Sequence, residues 1–275
     1  MTLTDAAAEA GSIQAVIKYV PPGTRAVFYP SDRARSPWPT DERRLEVRDM
    51  RPIAGNLSLE RNGFVLLNEP TAVTDFYDSD EVHRVYYPEI KRLVQRLTGA
   101  AEVLVFGEVA RSDSGSTPDG RQPSFGAHVD YGDRTVRDMI GRMMGPEAAA
   151  PWLAGRYMLM NLWRPITTVE RTPLALCDAS TVAQGDLNES EIRGGLNDPN
   201  RPSMFGFNLA YNPAHRWFYA PRMRPDEILA FKLYDSDASR IQWTGHTAFE
   251  LPGVRPDTPA RESMEIRTIS LFGAH

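Results

Sequence analysis

Gly126-Ala127-His128-Val129-Asp130-Tyr131 is the stretch on which the reading of this chain turns. In an extended strand residues i and i+2 point to one face, so His128 and Asp130 would present an imidazole and a carboxylate together at a strand end. Far downstream Gly245-His246-Thr247-Ala248-Phe249 offers a second imidazole, and Arg261-Glu262-Ser263 follows it. Two imidazoles and one carboxylate can occupy one face of an octahedral ferrous ion, leaving three positions for a bidentate oxo-acid and dioxygen. The pattern therefore predicts a metal site built from His128, Asp130 and His246.

A His-x-Asp pair alone is a weak signal in a chain with five histidines, and a satisfied polar pair near a turn is its plain reading. Its company strengthens it. Arg261 can offer a planar fork to the distal carboxylate of a dicarboxylic cosubstrate, and Ser263, on the same strand face, adds a hydroxyl. His215 competes with His246 for the third ligand position. It sits in a turn beside Pro213 and just before a strand, which favours a turn or pocket role. His83 falls within an amphipathic helix, and His275 is the last residue.

With 275 residues, 41% hydrophobic and 24% charged, and a formal charge of -5, the chain has the make-up of a single globular domain. Basic residues are interspersed with acidic ones, which argues against nucleic acid as a partner. The first residues lack the basic start and apolar run of a secretory signal, and no run of about 18 apolar residues predicts a membrane span. A single cysteine, Cys177, excludes an internal disulfide and suits the cytoplasm. Nothing in the sequence sets an oligomeric state.

Residues 1–60 read as an N-terminal segment wrapping the body, with a strand over 13–20 and irregular chain after it; 61–275 read as the core. The spacing predicts strands over 63–68, 102–107, 157–163, 174–178, 204–211, 216–219, 228–234 and 265–272, and helices over 79–97 and 134–144. The fold class is thus mainly β with flanking helices (α+β), a sandwich or a barrel. The stretches 112–124 and 184–203 read as loops, the first in a position where lids occur.

Further blocks accompany the metal pattern: Asn161-Leu162-Trp163-Arg164-Pro165, Pro173 to Asp178, His215-Arg216-Trp217-Phe218-Tyr219, Asp226-Glu227 with Lys232 to Ser236, and Arg261 to Arg267. Together, from about Phe64 to Phe272, they resemble the cephamycin methoxylase-related, fungal-type hydroxylase/desaturase family of Fe(II)- and 2-oxoglutarate-dependent oxygenases. The resemblance implies a double-stranded β-helix (jelly-roll, cupin-like) core, with His128, Asp130 and His246 on iron and Arg261 and Ser263 on the cosubstrate. Two positions depart from it. Gly245 stands where the family usually has proline, and Met264 replaces a branched aliphatic; both bear on loop shape more than on chemistry.

The expected activity is hydroxylation or desaturation of a small, secondary-metabolite-type molecule, using Fe(II), 2-oxoglutarate and O2, with no catalytic side chain beyond the metal ligands. Tyr131, Trp163 and Arg164 are the candidate substrate-pocket residues, although the aromatics serve equally as core and Arg164 could pair with Asp178 or Glu170. Arg111 could help anchor substrate or cosubstrate. Cys177 reads as a packed, inert thiol. A zinc- or manganese-dependent hydrolase or isomerase, and a non-catalytic small-molecule-binding barrel, are the rivals. A water-activating enzyme has no use for Arg261 with Ser263.

Overall fold

Strands alternating between two apolar faces dominate the chain. The computed structural model describes residues 11–273 apart from 31, 33–35, 37–38, 118–119 and 195–202. The expectations for residues 1–6 and for His275 lie outside the described residues, as do parts of the two expected loops. The strands are β1 (Ser12–Tyr19), β2 (Ala26–Phe28), β3 (Asp41–Asp49), β4 (Phe64–Asn68), β5 (Glu102–Ser112), β6 (His128–Val129) and β7 (Tyr157–Pro165). They continue with β8 (Leu174–Cys177), β9 (Leu187–Ile192), β10 (Met204–Leu209), β11 (Trp217–Tyr219), β12 (Glu227–Asp235), β13 (His246–Ala248) and β14 (Glu262–Leu271). The helices used below are α1 (Tyr87–Thr98), α2 (Asp133–Met144) and α3 (Pro146–Ala154).

Among the described residues the strands form two sheets. One has five antiparallel strands in the order β4-β12-β7-β14-β5; the other has nine, in the order β1-β3-β11-β8-β13-β6-β10-β9-β2, with β3 parallel to β11 and β2 parallel to β9. β7 is buried along its whole length because both of its faces are covered. Leu159 and Trp163 enter the core that takes side chains from both sheets, whereas Met160 and Leu162 face the opposite way and pack beneath α1. Each such side chain contributes about 1.5–3 kcal/mol by leaving water.

The Asp78 side chain caps the helical run before α1 by accepting from the amides of Asp80 and Glu81. Pro88 cannot donate to the helical ladder, and a wider π-turn over Val82–Tyr86 precedes it. Gly99, at φ 70°, ends the helix in the left-handed conformation that glycine adopts without strain.

Three readings need correction. The segment read as irregular after residue 20 contains β2 and β3, and β3 pairs with β1 along the whole of β1. Its run of charges, Asp41-Glu42-Arg43-Arg44, resembles a loop because so much of the strand faces solvent. β9 lies inside the stretch read as a loop over 184–203, and α3 was not anticipated, since Ala148-Ala149-Ala150-Pro151 carries no amphipathic period. No helix among the described residues is long and apolar enough to cross a membrane.

Candidate functional site

β6 is only two residues long, yet it sits between β13 and β10 in the large sheet. That insertion makes His246 of β13 the direct cross-strand partner of His128, so two imidazoles distant in the chain come to lie with ring centroids 4.3 Å apart. Asp130 follows on the same face: its Oδ1 is 3.3 Å from His128 Nε2 and 3.9 Å from His246 Nε2. One ligand atom from each of the three residues lies within 4.8 Å of the others. β10 approaches this turn so closely that a Cβ on Gly206 would stand 2.6 Å from the carbonyl oxygens of Val129 and Asp130. Glycine is required there by the backbone contact.

Both imidazoles are oriented in the same way. His128 Nδ1 donates to the Gly126 carbonyl at 2.6 Å and His246 Nδ1 to the Thr244 carbonyl at 3.1 Å, which leaves each Nε2 lone pair directed toward Asp130. Burial, with His128 alongside, pulls the His246 imidazole down to about 4, so it is neutral and able to ligate at physiological pH. Burial alone would raise the Asp130 carboxyl, but Arg267 and the two histidines outweigh it and hold the group well below the usual carboxylate range. Asp130 Oδ2 is buried without a hydrogen-bond partner. Phe231 covers the back of His246 at a centroid distance of 4.9 Å.

The cavity beside these residues is lined by Arg111, Trp163, Leu174, Arg261, Glu265 and Arg267, among others. Arg261, just ahead of β14, is 1% exposed, and its guanidinium lies 5.4 Å from the Trp163 ring centroid. Nη1 has one long bond, 3.4 Å to the Thr172 carbonyl, while Nε, Nη2 and the Ser263 hydroxyl are buried with no hydrogen-bond partner. Burial draws the Arg261 guanidinium down to about 10, which leaves it cationic at neutral pH. A buried cation with unused donors is costly unless an acceptor completes it. The backbone around it is fixed by Asp113, which accepts from the Arg261 amide at 3.0 Å, from Arg171 Nε and Nη2 at 2.9 Å, and from the Thr172 hydroxyl at 2.7 Å.

Trp163 lines the cavity. Tyr131 lies in the core between the sheets, edge-on to Phe106 at 6.2 Å. Arg164 does not share the site: its neighbour Trp163 points inward, so the two-residue period turns Arg164 outward. There it donates to Tyr86 Oη at 2.8 Å and to the carbonyls of Pro225 and Glu69 at 2.6 Å. Its suggested partners are taken elsewhere, Asp178 by Arg216 and Glu170 by Arg222. His215 is committed to Tyr19 and Asp186, and His83 to the partly exposed Glu108. Cys177 is fully buried, and burial pushes its thiol far above the usual range.

Glu265 and Arg267 were missed. Glu265 bonds Arg111 Nε at 2.6 Å, and Arg267 Nε lies 3.5 Å from Asp130 Oδ2. Their signal was the alternation Arg261, Ser263, Glu265, Arg267, interleaved with the apolar Met264 and Ile266 of the opposite face. Starting that strand at residue 265 concealed it.

The donor set suits ferrous iron: two imidazoles turn Nε2 toward Oδ1 of one ionised carboxylate, and the neighbouring cavity is lined by an incompletely bonded guanidinium. A family model described as "Oxidoreductase/YMDC permease-like domain" matches residues 17–271. The chain is 30% identical, over 96% of its length and 98% of the relative's, to the alpha-ketoglutarate-dependent dioxygenase phiK of a fungal species. It is also 30% identical to the hydroxylase/desaturase efuI of Hormonema carpetanum, over 81% of each chain. Among solved structures it resembles the iron and alpha-ketoglutarate-dependent endoperoxidase NvfI, with a TM-score of 0.85 at 24% identity, covering 96% of this chain and 99% of that one.

Proposed function

This chain belongs to the oxidoreductase family that contains the fungal alpha-ketoglutarate-dependent dioxygenases and hydroxylase/desaturases, and from that membership we propose that it is an Fe(II)- and 2-oxoglutarate-dependent oxygenase acting on a small secondary-metabolite-type molecule by hydroxylation or desaturation. Its two sheets are read as a double-stranded β-helix within one domain, and its place as the cytoplasm. His128, Asp130 and His246 hold the iron. Arg261 binds the distal carboxylate of 2-oxoglutarate with help from Ser263, and Trp163 walls the cosubstrate.

One observation carries this reading. The buried Arg261 guanidinium, with Nε and Nη2 unpartnered, lines the same cavity as the three candidate ligands. A hydrolase or isomerase activating water on a metal has no need of a cation there, whereas a five-carbon oxo-diacid needs a far anchor. When bound, iron with 2-oxoglutarate and dioxygen supplies the power to remove hydrogen from an unactivated carbon, with succinate and carbon dioxide as coproducts.

The protein's own contribution is placement. The Gly126 and Thr244 carbonyls keep the histidines in the ligating tautomer, and Arg261 sets the depth of the cosubstrate against the Trp163 and Leu174 side chains. Incubating purified protein with ferrous iron and 2-oxoglutarate under air should yield succinate, with far less from His128→Ala. Absence of succinate across a broad panel of small molecules would refute the assignment.

A further inference from the structure

Arg267 lies on the inward face of β14, two positions after Glu265, in register with Asn161 of β7 and Gly107 of β5. Its guanidinium is set between two carboxylates. Nε is 3.5 Å from Asp130 Oδ2, and Nη2 is 3.3 Å from Glu265 Oε2. The second oxygen of Glu265 accepts from Arg111 Nε at 2.6 Å. Charges therefore alternate along one partly buried line on the cavity wall, Arg111, Glu265, Arg267, Asp130, ending at the candidate metal ligand.

This line distinguishes the two oxygens of Asp130. Oδ1 is the atom facing both histidine Nε2 atoms, and Oδ2 is the atom facing Arg267. A carboxylate terminal torsion is broad and roughly two-fold, so without a fixed neighbour the two oxygens would exchange freely. The choice has a chemical consequence. A six-coordinate ion with three one-atom protein ligands keeps three positions, two for a chelating oxo-acid and one for dioxygen. If both Asp130 oxygens chelated, one of those positions would be lost.

We propose that Arg267 is a positioning residue that presents Asp130 to the metal through Oδ1 alone, with Glu265 aiming the guanidinium and Arg111 steadying Glu265. This rests on the iron reading above. Arg267 touches neither iron nor cosubstrate in this role; it acts through Asp130, and it keeps the third open position available.

Cobalt(II) provides a test without turnover, because its visible spectrum reports ligand number. Wild type, Arg267→Met and Arg267→Lys are loaded with Co(II) and titrated with 2-oxoglutarate, and metal-free samples are compared by circular dichroism and thermal unfolding. The proposal predicts an altered Co(II) spectrum in Arg267→Met and roughly 10–100-fold weaker 2-oxoglutarate binding. Arg267→Lys, which keeps the charge but loses the planar fork, should fall between. If the methionine variant does not fold, the lysine variant alone carries the comparison. A variant spectrum and 2-oxoglutarate affinity identical to wild type would overturn the proposal and leave Arg267 as charge balance for Glu265. Failure of the iron reading is distinguishable: wild type would then take up no Co(II), or His246→Ala would take up as much, and the positioning role would fall with it.

Discussion

Among the described residues two partly buried histidine–aspartate clusters can be compared, and one of them is left chemically open. At the first, His215 has both ring nitrogens engaged, Nδ1 with Tyr19 Oη at 3.2 Å and Nε2 with Asp186 Oδ2 at 3.1 Å. Tyr19 also accepts from Trp217 Nε1, and Asp186 from Asn212 and from the Ala183 amide. At the second, His128 and His246 spend Nδ1 on carbonyls and turn Nε2 toward Asp130 Oδ1, beside a cavity in which Arg261 keeps two unpartnered nitrogens. Residue type is the same at both. What separates a structural cluster from a candidate metal centre is which polar atoms remain without partners.

Removing an imidazole from the open cluster should have the greatest effect. His128→Ala and His246→Ala are expected to abolish succinate formation and metal uptake, measured together on one preparation, while leaving the metal-free melting temperature nearly unchanged. Next is Arg261→Met, which removes the fork for the distal carboxylate. A charged hydrogen bond of about 1.5–3 kcal/mol corresponds to roughly a 10–150-fold rise in KM for 2-oxoglutarate, with a smaller change in kcat. Equal losses in both would mean that Arg261 serves the reaction in some other way.

Gly206→Ala touches neither cluster chemically, but its Cβ would collide with the backbone that carries Asp130. Overpacking of this kind costs about 1–3 kcal/mol, and here it should weaken metal binding as well as lower the melting temperature. Loss of stability with unaltered metal affinity would show that the strand shifts without moving Asp130.

The closed cluster should give the smallest and purely structural response. Burial holds the His215 imidazole below its usual range, against the opposing pull of Asp186. Below about pH 6.5, the unperturbed histidine value, the unfolded chain takes up a proton that the folded chain resists. The associated stability is full above that pH and is lost as pH falls toward the lowered folded value. His215→Gln should therefore flatten the decline of melting temperature between about pH 7 and 5, with metal and 2-oxoglutarate binding unchanged. A change in metal binding would mean that the two clusters are coupled.

Much of this was legible in the chain because it rests on local periods. The helix after Asp78, the strand at β7 and the placing of His128 and Asp130 on one strand face follow from local pattern alone. The return of His246 to the same place was suggested by its position in the chain, but its exact partner depended on β13 and β6 being neighbours, a long-range pairing that no local period encodes. Arg164 was misplaced because a charged residue beside an inward tryptophan was read as a pocket residue, against the two-residue period. Glu265 and Arg267 stand inside the block Arg261 to Arg267 but were given no site role, because their ion pairs to Arg111 and Asp130 are long-range contacts that the strand's own pattern does not encode. β3 was lost for the converse reason: its charges do face water, and its pairing with β1 is what makes it a strand.

The decisive measurement is anaerobic visible spectroscopy of the Fe(II)-loaded protein titrated with 2-oxoglutarate, since chelation of ferrous iron by the oxo-acid produces a charge-transfer band. Wild type should develop that band and saturate, Arg261→Met should require far more 2-oxoglutarate to reach it, and His246→Ala should not develop it. No band in wild type, or the same band in His246→Ala, would contradict the assignment of iron to His128, Asp130 and His246.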